Sequence, residues 1–304
     1  MKPPDATGRR VSMSSGICLY HGSDLDGHCS GAIYAKAHTG QPHQLAPVDY
    51  GQLIPWDKLA GAYVTLVDFS FQPWNEVERL FLTARHVTWI DHHKSAITEW
   101  MEKHHLLPSG HCPFTTVLDT TRAGCELAWG HYFPDTPISR GVHLLGRYDV
   151  WDHTDPDVLP FQYGMRIQKT DPSVGDFNWD YVLEEKSDFL DTTIRDGKLL
   201  LQYQSQNDAA AVSKTWFPVT FADKRWQACN RLGKGSRFFD TVWTPGEFSG
   251  MLSFGWDGKK WQVGLYSDRS DMDCGAIAKQ YGGGGHLGAA GFMCDTLPFA
   301  LVEE

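Results

Sequence analysis

Short apolar runs alternate with amphipathic segments through the first half of the chain. Residues 63–69 (YVTLVDF) form a continuous β-branched run, which is typical of a strand buried on both faces. The alternation of such runs with helical patterns predicts a parallel sheet flanked by helices. We predict strands at 16–21, 44–49, 63–69 and 86–91, and helices at 27–37 and 73–85.

The pattern changes in the middle of the chain. Residues 120–151 have a helical pattern that is interrupted at Pro134 and Pro137. Residues 152–180 are rich in Asp and Pro, which predicts a loop. From residue 181 to about residue 214 the pattern predicts one or two helices that are polar along most of their length.

The last third of the chain has the pattern of short alternating strands. We predict strands at 219–222, 226–230, 250–256 and 260–266, followed by a helix at 275–281. Asp257-Gly258 between the last two strands is a strong hairpin signal. The predicted fold class is α/β, with a parallel-sheet domain joined by a helical linker to a smaller mixed-sheet α/β domain. The predicted boundaries are a disordered leader at 1–15, a first domain at 16–185, a linker at 186–212 and a second domain at 213–304.

Composition narrows the classes of function. The formal net charge of -10 argues against a protein that coats long nucleic acid, but it permits a small nucleotide held by a local basic patch. The seven cysteines include no C-x-x-C pair, which indicates reduced thiols and a cytoplasmic setting. The apolar surroundings of four of them predict core residues, namely Cys18, Cys29, Cys125 and Cys229. We expect neither a secretory signal nor a membrane span.

Acidic residues and histidines stand at the ends of three predicted parallel strands. They are His21, Asp24 and Asp26 at the end of the first, Asp68 at the end of the third, and Asp91, His92 and His93 at the end of the fourth. Ligands bind outside the carboxyl ends of strands in open α/β sheets, so these side chains are expected at one edge. Carboxylates mixed with imidazole suit Mn²⁺, Fe²⁺, Co²⁺ or Zn²⁺ better than Ca²⁺, and two such ions can promote displacement at phosphorus. Each Asp taken singly can also be the N-cap of the following helix.

Four motifs in chain order, HGSDLDG, VDFS, DHHKS and YDVW, resemble those of the DHH phosphoesterase superfamily. Residues 283–291 look like the GGGHxxAAG signature of its DHHA1 partner domain. The resemblance covers roughly residues 16–296, and it is closest to the oligoribonuclease, or nanoRNase, branch. One more residue separates His21 from Asp24 than in the usual H-x-D-x-D-G form.

The resemblance implies a two-metal centre in the DHH domain. In such a centre His21 and Asp24 would hold one ion, Asp26, His92 and Asp149 would hold the other, and Asp68 would bridge the two. Of the two catalytic residues, Asp91 would orient a histidine and His93 would face the phosphoryl oxygens. Asp152 and His153 lie within one turn of Asp149 and are alternatives to it. We expect two divalent ions, with Mn²⁺ favoured over Mg²⁺, Co²⁺ and Fe²⁺.

The DHHA1-like segment carries most of the residues expected to bind substrate. Backbone N–H groups of Gly283, Gly284 and Gly285 could bind phosphate, although a glycine run alone is often a flexible turn. His286 could contact the phosphate or base, and Arg269 resembles the family's nucleotide-contacting arginine.

A local basic strip at residues 224–237 holds five basic residues and no acidic one. Within it, Lys234 and Arg237 either steer phosphates or lie on a solvated loop. Arg122, which precedes a predicted helix, is a weaker candidate for a phosphate clamp.

The expected function is hydrolysis of short oligonucleotides (nanoRNA) to nucleoside monophosphates by a two-metal-activated hydroxide, with a short substrate held between the two domains. The alternatives are a phosphodiesterase for cyclic or linear dinucleotides, a single-strand DNA exonuclease and a phosphatase of 3'-phosphoadenosine-type nucleotides. A nucleotide-binding sensor without catalysis is the alternative from a different class. We expect no long duplex nucleic acid and no membrane as a partner, and a homodimer is left open. The choice between RNA and DNA, the polarity of attack and the native metal do not follow from the sequence.

Overall fold

The structure, a computed structural model, describes residues 16–186 and 188–301, except for the side chains of residues 300 and 301. The chain divides into two compact units, the first ending at Leu200 and the second beginning at Leu201. The leader predicted at 1–15 lies outside the described residues.

The first unit is built on a five-stranded sheet in which every pairing is parallel, in the order β2-β1-β3-β4-β5. Its strands are β1 (Gly16–His21), β2 (His43–Val48), β3 (Tyr63–Val67), β4 (His86–Asp91) and β5 (Phe114–Leu118). The strand order reverses between β1 and β3. In sheets of this order, that switch point is where ligands bind at the carboxyl ends of the strands.

Helices cover both faces of this sheet. They are α1 (Leu25–Ala37), α2 (Trp56–Leu59), α3 (Trp74–Thr83), α4 (Lys94–Lys103), α5 (Gly124–Tyr132), α6 (Arg140–Asp149), α7 (Val158–Met165) and α8 (Asp180–Leu183). Successive residues of β1 belong to two apolar clusters: Cys18 and Tyr20 pack with α1, α5 and α6, while Ile17 and Leu19 pack with α3 and α4. The continuous apolar runs therefore belong to strands buried on both faces, as predicted.

One prediction in this unit is wrong: the segment predicted as a loop at 152–180 contains α7, and α8 begins at its last residue. Pro160 lies in the first turn of α7, where the backbone N–H needs no partner in the helix. Helix α7 packs closely against α9 (Phe189–Thr215): a Cβ on Gly197 would lie 1.7 Å from the carbonyl oxygen of Pro160. Close packing between helices therefore stabilises a segment whose composition indicates a loop.

The second unit contains a seven-stranded mixed sheet in the order β10-β11-β9-β8-β7-β6-β12. Its strands are β6 (Trp216–Phe221), β7 (Lys224–Asn230), β8 (Gly250–Trp256), β9 (Trp261–Tyr266), β10 (Gly284–Gly285), β11 (Ala289–Cys294) and β12 (Ala300–Leu301). Helix α10 (Cys274–Gln280) contributes to its apolar core. The only parallel pairing described in this sheet joins β7 to β8, and β8 and β9 form the predicted hairpin, turning at Gly258 with φ +102°.

The predicted fold class is confirmed: a parallel α/β sheet precedes a mixed sheet, and α8 and α9 occupy the segment predicted to contain one or two helices. The four cysteines predicted to be core residues are fully buried. Among the described helices, none is long and apolar enough to cross a membrane.

Candidate metal centre

The carboxyl ends of β1, β3 and β4 bring the predicted metal ligands together with the last residue of α6. The described residues form three groups whose ligand atoms lie within 4.8 Å of one another: His21, Asp24 and Asp68; Asp26, His92 and Asp149; and Asp68, His92 and His93. The first two groups contain the residues predicted to hold one ion each. Their roles as ligands stay a prediction.

Asp68 stands where the groups meet. Its Oδ1 lies 3.2 Å from His92 Nε2, and its Oδ2 lies 3.6 Å from His21 Nδ1. The side chain is buried, and neither oxygen accepts a well-formed hydrogen bond from the described residues. A buried carboxylate is costly unless a cation compensates its charge: burial alone would raise the pKa of Asp68, but the neighbouring imidazoles of His21 and His92 outweigh burial and lower it. Asp68 therefore has the position and the chemistry to bridge two cations.

Asp24 serves both of the roles that its position at a strand end suggests. Its Oδ1 accepts a hydrogen bond from Gly27 N at 2.9 Å and caps α1. Its Oδ2 lies 2.8 Å from His21 Nδ1. One oxygen is thus a helix cap while the other faces the cluster, so the two interpretations are compatible.

Asp26 and Asp149 approach His92 from two different helices. The Nε2 atom of His92 lies 3.2 Å from Asp149 Oδ2 and 3.8 Å from Asp26 Oδ2. The carboxylate of Asp26 also accepts hydrogen bonds of 2.7 Å from the backbone N–H groups of Gly124 and Cys125, at the start of α5. These bonds fix the carboxylate in place and complement the positive end of the helix dipole.

The structure brings Asp149, and not Asp152, to this cluster. The carboxylate of Asp152 accepts hydrogen bonds from Thr154 and lies 3.6 Å from Arg147. The ring of His153 lies 5.6 Å from that of Tyr148. Of the three neighbours considered from the sequence, Asp149 is the one found in a group of potential metal ligands among the described residues.

Asp91 orients the neighbouring histidine pair. It is fully buried, and its Oδ1 accepts hydrogen bonds from the backbone N–H groups of His92 at 2.7 Å and His93 at 3.2 Å. The same oxygen lies 2.7 Å from His93 Nδ1. Burial alone would lower the pKa of His93, but the hydrogen bond and charge of Asp91 outweigh it and raise that pKa. Asp91 thus fixes the ring that is predicted to face the substrate.

The charges of the cluster shift the pKa values of its members. Burial alone would lower the pKa of His21 and of His92, but the neighbouring carboxylates raise them to about 11 and about 10. Burial and repulsion from Asp68 raise the pKa of Asp26 and of Asp149. Carboxylates this close together repel one another unless protons or cations lie between them. The donor set of carboxylates and imidazoles therefore fits divalent transition metals.

Asp49, directly after β2, was not among the residues predicted from the sequence. Its Oδ1 lies 3.5 Å from His21 Nε2, on the opposite side of the ring from Asp24, and its other oxygen accepts a hydrogen bond from Ser23. Because it is a further acidic residue at the end of a predicted strand, the strand-end argument applied to β2 would have found it.

The glycine signature forms a hairpin in the second unit, where β10 pairs antiparallel with β11. A Cβ on Gly283 would lie 2.1 Å from the carbonyl oxygen of Gly291, and one on Gly285 would lie 2.5 Å from that of Ala289. The N–H of Gly283 donates to Ala278 O at 3.0 Å, and that of His286 donates to Ala289 O at 2.7 Å. The N–H of Gly283 is therefore engaged by the last turn of α10, and the phosphate-binding role of Gly283, Gly284 and Gly285 stays a prediction.

The four basic residues predicted to bind substrate all have partners in the structure. Arg269 donates to Asp271 through two hydrogen bonds of 2.9 and 2.7 Å, and Arg122 donates to the carbonyl oxygen of Glu126 at 2.9 Å. Lys234 lies 2.8 Å from Asp208, and Arg237 lies 3.6 Å from Asp240. A phosphate would have to compete with these partners, and the substrate-binding roles stay predictions.

Comparison with curated proteins finds one that is similar along most of the chain, while no family model matches. Uncharacterized protein R106 of Acanthamoeba polyphaga mimivirus is 25% identical over an alignment of 317 positions, and the match covers 95% of this chain and 70% of that protein. Similar solved structures include PggH, a pGpG-specific phosphodiesterase from Vibrio cholerae, at 12% identity and TM-score 0.48, covering 92% of this chain and 93% of that one.

Two further solved structures have comparable similarity. An exopolyphosphatase-related protein from Bacteroides fragilis is 13% identical with TM-score 0.49, covering 93% of this chain and 88% of that one. Exonuclease RecJ bound to manganese is 15% identical with TM-score 0.46, covering 93% of this chain and 86% of that one.

Proposed function

We propose that this chain is a two-metal phosphodiesterase that hydrolyses short oligonucleotides to nucleoside monophosphates. The observation that carries the proposal is the position of Asp68. Its two oxygens face different histidines, His21 and His92, which belong to two adjacent groups of potential ligands. A carboxylate shared between two such groups is what a pair of divalent ions requires.

The chemistry of the donors supports Mn²⁺ or a similar ion. The two groups combine carboxylate oxygens with imidazole nitrogens, a mixture that suits Mn²⁺, Fe²⁺ and Co²⁺. When bound, a pair of such ions would activate a water molecule and stabilise the oxygens of an in-line displacement at phosphorus.

The protein's own contribution is to hold and orient the reacting groups. Asp26 is anchored by the backbone at the start of α5, so its carboxylate is preorganised before any ion binds. Asp91 holds His93 through Nδ1, which directs the Nε2 edge of the ring away from Asp91. We propose that this edge donates a hydrogen bond to a phosphoryl oxygen and orients the substrate.

The choice of short oligonucleotides, as in the nanoRNase branch, rests on the motifs that resemble the DHH and DHHA1 families. Among the similar solved structures, PggH is a pGpG-specific phosphodiesterase and RecJ is an exonuclease. Their names indicate which substrates to include in a first assay. Cyclic and linear dinucleotides, single-stranded DNA and 3'-phosphoadenosine nucleotides are the alternatives that the sequence leaves open, and they are tested beside the preferred substrate.

The decisive experiment is one panel of substrates with Mn²⁺, Mg²⁺ or a chelator. The substrates are RNA and DNA of two to five nucleotides, cyclic dinucleotides, 3'-phosphoadenosine nucleotides and pyrophosphate. We expect Mn²⁺-dependent release of monophosphates from the short RNAs, abolished by the chelator. A sensor without catalysis would bind nucleotides but release no product from any of them.

The variant that tests the bridging position is Asp68→Asn. Asn tolerates the left-handed backbone at this position, where φ is +54°, so the change removes charge with little strain. We expect turnover to fall by roughly a thousandfold or more, because bridging ions contribute several kcal/mol to the transition state. Asp196→Asn on an exposed helix face is the matched control and should have no effect. Near-normal turnover by Asp68→Asn would contradict the proposal.

A further inference from the structure

A cavity of about 470 Å³ lies beside the candidate metal centre, entirely within the first unit. Asp24 lines it, together with residues of α7 and of the segment that follows α7. Sites for small molecules have volumes of about 300 to 1,000 Å³. Because Asp24 belongs to a group of potential metal ligands, a ligand in this cavity would lie next to the metal centre.

Gln162 provides an acceptor for a ligand in this cavity. It lies on α7, its side chain is only 6% exposed, and it lines the cavity. Its Oε1 accepts no hydrogen bond from any residue in the described ranges and has almost no accessible surface, so a ligand reaches it only after a neighbouring side chain moves. A buried polar atom without a partner is costly, and native proteins satisfy nearly all of them. The site therefore calls for a ligand that donates an O–H or N–H.

Arg166 provides a cation on the same face of the helix, four residues after Gln162. Its guanidinium lies 5.4 Å from the ring centre of Tyr148 and 5.1 Å from that of Tyr163, and it donates to the hydroxyl of Tyr148 at 2.8 Å. No carboxylate of the described chain forms an ion pair with it. A planar guanidinium that lies near two aromatic rings and still has donors available suits a phosphate.

The carboxylates around the cavity are occupied by other partners. Asp171 accepts hydrogen bonds from the hydroxyl of Tyr20 at 2.6 Å and from Ser173. Asp176 lies 3.7 Å from Lys169. These contacts explain how Arg166 can line a cavity with several acidic residues and still present its charge to a ligand.

The lining favours a sugar phosphate over a base. Of the described lining residues, His28 supplies the one aromatic ring, and its two nitrogens lie 2.8 Å from Thr170 Oγ1 and 3.1 Å from Gly22 O. A base would find no phenyl, phenol or indole ring to stack on, whereas base-binding sites usually offer one. The acceptor of Gln162 and the guanidinium of Arg166 instead suit a ligand in which a hydroxyl group lies close to a phosphate, as in a sugar phosphate.

We propose that this cavity binds the phosphorylated ribose of a nucleotide that neighbours the scissile bond. Arg166 binds the phosphate and Gln162 accepts a hydrogen bond from the ribose. The 2'-hydroxyl is the free ribose hydroxyl within an RNA chain, so Gln162 would favour RNA over DNA. This inference rests on the proposed function and specifies its substrate.

The test compares the dinucleotides ApA, pApA and ApAp, and the deoxy form of the preferred one, in the Mn²⁺-loaded full-length protein. In Arg166→Gln we expect the preference for a terminal phosphate, measured as a ratio of kcat/KM values, to fall at least tenfold. Arg166→Lys keeps the charge, so its preference for a terminal phosphate should lie between that of the wild-type protein and that of Arg166→Gln. In Gln162→Leu the preference for RNA over DNA should fall at least fivefold. Arg195→Gln, an exposed arginine paired with Asp196, is the control for lost charge.

The outcomes separate this inference from the proposed function. If the wild-type protein hydrolyses these substrates and both variants keep its preferences, the cavity is not the subsite, although the phosphodiesterase assignment stands. If no substrate is hydrolysed, the proposed function fails. The cavity is then tested by calorimetry with adenosine 3',5'-bisphosphate, whose affinity should fall at least tenfold in Arg166→Gln. Equal affinity of the wild-type protein and this variant overturns the inference.

Discussion

Asp26 combines a candidate metal ligand with a structural role in one carboxylate. Its two oxygens each accept a backbone hydrogen bond of 2.7 Å, from Gly124 and from Cys125, and all three residues are buried. In Asp26→Ala both N–H groups lose their partner at the start of α5, where no helical carbonyl can replace it. Each unpaired buried group costs about 1–3 kcal/mol. The metal-free protein should therefore lose unfolding free energy, but less than the roughly 2–6 kcal/mol that the two unpaired groups would cost alone, because the change also removes the repulsion between Asp26 and Asp68.

Asp24→Ala is the matched comparison, because Asp24 is also a candidate ligand but has a smaller structural role. Its carboxylate caps α1 through one hydrogen bond, and its side chain is 37% exposed. Loss of an N-cap costs about 1 kcal/mol. Both variants should lose metal affinity, so a comparison in excess chelator isolates the structural contribution.

Urea unfolding measures this difference. Tryptophan fluorescence is a suitable signal because Trp129 is buried on α5, the helix whose first residues donate these two hydrogen bonds. Circular dichroism should follow the same transition if the first unit unfolds cooperatively. Asp26→Asn keeps one acceptor oxygen, so its free energy of unfolding should lie between those of the wild-type protein and Asp26→Ala. If Asp26→Ala and Asp24→Ala are equally stable in chelator, the two backbone hydrogen bonds do not have the importance assigned to them.

Three other results are expected. Because His21 and His92 have pKa values raised to about 11 and about 10, both hold protons at pH 7 and must release them to bind metal. Metal affinity should thus rise with pH, and calorimetry in several buffers should show at least two protons released at pH 7, because the raised pKa values of Asp26 and Asp149 add carboxyl protons to those of the histidines. Arg147→Met removes the guanidinium that pairs with the buried Glu126 and should cost about 3–5 kcal/mol in urea unfolding. Gly197→Ala should lower the melting temperature by several degrees or prevent folding, because its Cβ would lie 1.7 Å from a backbone oxygen of α7.

Each of these expectations has a control or a contradictory result. A count below one released proton would contradict the assignment of the two histidines as ligands. Arg195→Met disrupts an exposed ion pair and should cost less than about 1 kcal/mol. Gly235→Ala, at a position with φ -86° and open space around the added Cβ, should leave the melting temperature unchanged.

The features that the sequence predicts well are those that depend on local pattern. The bounds of β4 and β8 agree with their predicted ranges because continuous apolar runs mark strands covered on both faces. The grouping of Asp68 with His92 follows from one topological rule, since parallel strands deliver their carboxyl ends to the same edge.

The features that were missed depend on contacts between distant segments. Strand β5 (FTTVL) is at the edge of the sheet and partly exposed, so its sequence lacks the apolar run of the buried strands. Helix α7 is short, and its close contact with Gly197 is invisible in its own sequence. The partners of Arg269 and Lys234 are likewise a matter of tertiary structure, and the sequence showed only their charge.

The choice between Asp149 and Asp152 shows how a single backbone conformation decides a site. Three residues apart, the two carboxylates would share a helix face if α6 continued. Helix α6 instead ends at Asp149, and Trp151 adopts a left-handed conformation with φ +61°, so Asp152 forms hydrogen bonds with Thr154. The same helix end presents Tyr148, whose hydroxyl and ring hold Arg166 at the neighbouring cavity. One turn of helix thus places a candidate metal ligand and the support of the proposed phosphate-binding arginine side by side.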